Sequence, residues 1–113
     1  MTEQERVDLI DTQLCHVWMV RTFLKHCEEA EEDDELRDVF RMLYDYMLAL
    51  GDKVSDPPAY LKQCRKKLRK LVEATELFLE IQPEISNHTN FQMAARSLRA
   101  AVNQVQLLLE ESP

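Results

Sequence analysis

The 113 residues are 45% apolar and 31% charged, with one Gly, four Pro and three Cys. That fits one compact domain able to bury roughly 65% of its unfolded surface without a disulfide staple or structural metal. A single Gly disfavours multi-stranded sheets and phosphate-cradling loops, which use Gly for positive φ and close backbone approach. The net charge of −7 opposes nonspecific attraction to nucleic acid or anionic lipid, although residues 1–56 hold 15 acids and six bases (net −9) and 57–113 six acids and eight bases (net +2).

No segment reaches the roughly 18 unbroken apolar residues of a membrane span, and no basic start precedes an apolar run, so a soluble, cytoplasmic protein without a membrane partner is expected. Cysteine spacing agrees, since Cys15 and Cys27 on one helix lie roughly 18 Å apart, too far for a bridge. The sequon Asn87, His88, Thr89 has no companion sign of secretion and reads as chance.

The first helix, over about 3–28, opens with Thr2 and Glu5 spaced as a capping box and carries the stripe Val7, Ile10, Leu14, Val17, Leu24. A second stripe, Leu9, His16, Val20, Phe23, Cys27, lies beside it. With Trp18, roughly 220° of the circumference is apolar or nearly so. Either this helix touches three neighbours or the second stripe meets another molecule. Like charges at Glu28/Glu32, Glu29/Asp33 and Glu31/Glu35 end the helix, because acids sit badly at a C-terminus and well at the next N-terminus.

The second helix, about 35–50, carries Leu36, Phe40, Leu43, Met47 and Leu50, and Gly51 is expected to close it in the left-handed conformation. Asp56 before Pro57 and Pro58 starts the third helix, about 57–82, which Pro83 is expected to stop. Its seam is Leu61, Cys64, Leu68, Leu71, Thr75 and Phe78, flanked by Val72 and Leu79. The fourth helix, about 90–111, follows a Thr89/Gln92 capping box and carries Phe91, Ala95, Leu98, Val102, Val105 and Leu109. Four helices with short connections predict an all-α, antiparallel up-down-up-down bundle in a single domain.

Catalytic and metal chemistry find little support in these spacings. Cys15-His16 and His26-Cys27 resemble paired ligands, but the pairs lie roughly 15 Å apart and adjacent helical residues diverge by about 100°. No Glu-x-x-His or Cys-x-x-Cys-His occurs, so no metal and no cofactor is expected. The three thiols fall on or beside apolar stripes, where a thiol is usually inert filling.

Arg21 occupies a seam position where hydrocarbon is expected. It can lie over Trp18 at the bundle edge, pair with an acid such as Glu76, or line a polar pocket for an anionic ligand. Lys62, Arg65, Lys66, Lys67, Arg69 and Lys70 crowd one length of the third helix, which suits an acidic partner or a phosphate backbone, or else a solvated face. No aromatics interleave with these cations and the rest of the chain repels polyanions, so nucleic acid is disfavoured. The polar stripe Gln92, Arg96, Arg99, Asn103, Gln106 on the fourth helix reads as solvent-facing.

These observations favour a non-catalytic protein–protein interaction or assembly module. Its expected contact is Leu9, His16, Val20, Phe23 and Cys27, and its expected partner a second copy, as a homodimer, or another protein. A ligand-binding or enzymatic bundle around Arg21, Trp18 and Glu76, with His16 or one of Tyr44, Tyr46 and Tyr60, is the alternative. Nucleic-acid contact through Lys62, Arg65, Lys66, Arg69 and Lys70 ranks third.

Overall fold

A computed structural model, which describes residues 1–110, shows four α-helices: α1 (Glu3–His26), α2 (Asp34–Leu50), α3 (Pro57–Ile85) and α4 (Thr89–Glu110). Short 3-10 turns occupy Glu28–Glu31 and Lys53–Ser55. Residue 111, the last expected in the fourth helix, lies outside the described residues.

Local chemistry sets most helix ends. Thr2 Oγ1 accepts from the Glu5 amide at 3.0 Å while the Glu5 carboxylate accepts from the Thr2 amide at 2.9 Å, which is the capping box expected from the sequence. The Glu5 carboxyl is held below its ordinary pKa, first by the Thr2 amide and then by the Thr2 hydroxyl. The chain leaves α1 at Cys27 in extended conformation, and Asp33 caps α2 by accepting from the Leu36 amide at 2.9 Å. Arg37 secures the acidic turn between them, donating to the carbonyls of Ala30 at 2.7 Å and Glu31 at 3.0 Å and pairing with Asp34. Asp56 caps α3 through the Ala59 amide at 3.3 Å, with Pro57 and Pro58 in the first turn.

Three boundaries differ from expectation. Gly51 has the positive φ foreseen, +52°, but its ψ of −130° lies far from the left-handed helical well. Pro83 does not stop α3, which continues to Ile85. A proline this close to the end removes only the bond from its own nitrogen, and the Ser86 amide still reaches Gln82 O at 3.0 Å. Thr89 is the first residue of α4 rather than its cap. His88 takes that place, its Nδ1 accepting from the Asn90 amide at 3.0 Å, and the Gln92 side chain donates to Asn87 O at 2.7 Å.

The helices pack as an antiparallel four-helix bundle measuring 42 × 20 × 19 Å. Long axis and α3 agree, since 29 residues at about 1.5 Å each span some 43 Å. Val7, Ile10, Leu14, Val17 and Leu24 of α1 are essentially inaccessible, as are Leu36 and Leu43 of α2, Cys64, Leu71 and Phe78 of α3, and Leu98, Val102 and Val105 of α4. Side-chain contacts fix the registers: Arg6 reaches Leu108 O and the Phe23 ring meets Phe91 across α1/α4, while Tyr46 Oη donates to Cys64 O at 3.2 Å across α2/α3. Arg65 donates to Leu109 O at 3.2 Å, so α1 and α3 each send a guanidinium to the carbonyl end of α4, where positive charge is favoured.

Candidate functional site

The broad apolar circumference of α1 is divided among several neighbours. The helix packs chiefly against α2 and α4 and less extensively against α3. Within the stripe Leu9, His16, Val20, Phe23, Cys27, Val20 is buried and Phe23 is half-buried, its ring edge-on to Phe91 with centroids 5.1 Å apart. Cys27 is also half-buried, its Sγ donating to Leu24 O at 3.0 Å. Leu9 and His16 face outward. The five residues therefore do not form one open surface.

A different exposed strip follows the seam between α1 and α4. Met19, Val20 and Phe23 meet Asn90, Met93, Ala94 and Ser97 around a shallow depression of about 320 Å³ with no charged side chain in its lining. Met19 is 65% exposed and Met93 46%. Helical spacing and the Arg6–Leu108 register continue this strip through His16, Thr12 and Leu9 on α1 and Ala100, Gln104 and Leu107 on α4. Leu9 is 47% and Leu107 51% exposed. Met19, Met93 and Leu107 were not legible as a group, because their adjacency depends on which helices become neighbours. The one available signal was apolar residues on the otherwise polar side of α4.

Arg21 lies on the opposite flank of α1, beside α2. Its Cζ is 4.7 Å from the ring centroid of Trp18 and 4.7 Å from that of Tyr44, so the cation rests on aromatic faces as the first reading of this residue proposes. Glu76 is exposed on α3 and forms no ion pair with it. His16 points away, since two residues on a helix diverge by about 200° and Trp18 takes the α2 side. Tyr46 and Tyr60 are buried in the core instead. Burial raises both phenol pKa values, with the neighbouring Cys64 adding to the shift. Tyr60 Oη is enclosed, and the Asp11 side chain lies close enough to push its pKa further up by its charge and by hydrogen bonding.

The described residues contain no group of three or more His, Cys, Asp or Glu side chains arranged to hold a metal ion. Cys15 is exposed, Cys27 half-buried and Cys64 buried, and all three are free thiols. Burial pushes the Cys27 thiol up, with the Glu29 charge adding, and pushes Cys64 up to about 11. Neither is poised as a thiolate nucleophile.

The cations of α3 are exposed except for half-buried Lys67, but two are engaged within the chain: Arg65 with Leu109 O and Arg69 with Glu73 at 3.1 Å. Lys62 and Lys66 face solvent, and Lys70 joins Lys67, Asp45 and Tyr46 around a groove of about 250 Å³ between α2 and α3. Arg96 and Arg99 line another depression, about 510 Å³, between α3 and α4 with Gln82, Asn87 and Gln92. A third, about 310 Å³, is walled by Glu29, Glu32, Asp33, Glu35 and Glu84 at the α1–α2 turn. None of these brings a nucleophile and a base together.

Comparison with known protein families, curated proteins and solved structures finds no match to this chain. No helix among the described residues is long and apolar enough to cross a membrane.

Proposed function

We propose that this bundle is a non-catalytic assembly module that self-associates as a homodimer across the α1/α4 seam. The observation that carries this reading is the uncharged depression at Met19, Phe23 and Met93, lying in a strip with exposed Leu9 and Leu107, on a chain that is 31% charged. A second copy is the favoured occupant because two-fold pairing sets one uncharged strip against another, so no charge is buried unpaired. The contact set is Leu9, His16, Met19, the exposed edge of Phe23, Met93 and Leu107, with Val20 and Cys27 supporting it from within. Each copy carries −7, so association is opposed at long range and strengthens as salt screens the repulsion. The reading places the protein in a reducing cytoplasm, where Cys15, Cys27 and Cys64 stay as thiols.

Light scattering on Met19→Glu tests it. The exposed Met19 can be charged without opening the core, so the variant should lose mass relative to wild type while its helical circular dichroism persists. Equal masses for the two proteins would remove the proposal.

A further inference from the structure

The flank of α1 facing α2 holds a cation that pairs with no counter-ion among the described residues. Trp18 and Tyr44 lie with ring centroids 6.2 Å apart and planes 41° from parallel, and Arg21 Cζ sits 4.7 Å from each centroid. By these distances the two rings subtend a little under a right angle at the guanidinium, which therefore caps an aromatic notch rather than being enclosed between opposed faces. Among the described residues no carboxylate or carbonyl bonds Arg21. Arg21 Nε is buried there with no hydrogen-bond partner.

We propose that Arg21 is the anchor of a binding site for an organic oxyanion, a carboxylate or phosphate monoester carried on a flat apolar body. Nε is enclosed without a partner, and the two Nη groups, which no carboxylate or carbonyl of the described residues engages, can donate end-on, in parallel, to two oxygens of one anion. Trp18 and Tyr44, 39% and 37% exposed, offer ring surface to the apolar body. Lys25, one turn along α1 and exposed, adds positive potential. The site lies on a different face of α1 from the assembly seam, so either proposal can fail alone.

Trp18 is the sole tryptophan of the chain, so its fluorescence reports on this notch alone. Titration of the full-length protein with benzoate and with phenyl phosphate should give a saturating change, and whichever binds more tightly identifies the oxyanion. Acetate and inorganic phosphate, which lack the flat body, should bind at least about tenfold more weakly. Arg21→Met keeps the aliphatic stem and should weaken binding by about tenfold or more, and Arg21→Lys, which keeps the charge but not the fork, should fall between. A linear, non-saturating response to both aromatic anions, or equal curves for wild type and Arg21→Met, would overturn the site. Equal affinity for inorganic phosphate and phenyl phosphate would overturn the role of the rings.

Discussion

Phe23 of α1 meets Phe91 of α4 edge to face, with ring centroids 5.1 Å apart and planes 67° from parallel. This pair pins the register of the two helices directly beneath the uncharged depression. Phe23→Ala should lower stability by about 2 kcal/mol, less than the loss at a fully buried Phe because the ring is half-exposed, and should lower Tm by roughly 8 °C. A thermal melt within 2 °C of wild type would mean that the ring pair holds nothing together, a tolerance of about half a kcal/mol.

Gly51 gives a prediction that separates two backbone conformations. With φ +52° and ψ −130° it lies outside the left-handed helical well that Asn tolerates, although a β-carbon would meet nothing closer than Leu48 O at 3.6 Å. The strain is thus in the backbone and not in crowding. Gly51→Ala and Gly51→Asn should both destabilise by about 1–3 kcal/mol in chemical unfolding. A nearly neutral Asn beside a costly Ala would instead indicate the left-handed helical conformation expected from sequence.

The three thiols should react in order of their burial. Cys15 is exposed, Cys27 is half-buried with a raised pKa, and Cys64 is fully buried with a thiol pushed up to about 11. Mass spectrometry after treatment with a thiol reagent at neutral pH should show Cys15 modified first, Cys27 more slowly, and Cys64 only as fast as the bundle unfolds. Labelling of Cys64 at the rate of Cys15 would contradict the packing of α2 on α3.

Alkaline conditions should destabilise the fold through the same core. Burial raises the Cys64 thiol from 9.0 to about 11 and also raises the phenols of Tyr46 and Tyr60. A raised folded pKa means that the unfolded chain releases its proton first. The stability contributed by these groups is complete below their unfolded values and is lost as pH rises through the folded ones. For Cys64 the Tm should fall between pH 9.0 and about 11, with the tyrosines extending the decline to higher pH. Tyr60→Phe removes a buried hydroxyl that interacts with the Asp11 side chain, so it should cost no more than about 1.5 kcal/mol at neutral pH and make the alkaline fall shallower. A Tm constant to pH 11 in wild type would contradict the burial of these groups.

The parts of the fold legible in the sequence are those governed by a few neighbouring residues. Thr2 with Glu5 and Asp56 with Pro57 act within one turn, and the stripe Val7, Ile10, Leu14, Val17, Leu24 needs only helical periodicity to be placed in the core. Pro83 was misleading because its penalty depends on how many helical bonds follow it, and at the end of α3 very few do. Thr89 and Gln92 had the spacing of a box, but the chain enters α4 one residue earlier and His88 serves as the acceptor. The wide apolar circumference of α1 is legible from residue spacing, whereas its division between α2, α3 and α4 is a tertiary fact, as is the meeting of Met19 with Met93. Arg6 gave no signal in sequence because its partner, Leu108 O, lies at the far end of the chain.

Sedimentation equilibrium of the wild-type protein over a range of concentrations, at low and moderate salt, tests the assembly reading most directly. The account predicts a mass that climbs with concentration from 13.3 kDa toward twice that value, and climbs earlier when salt is added. A mass of 13.3 kDa at every concentration and salt would contradict it.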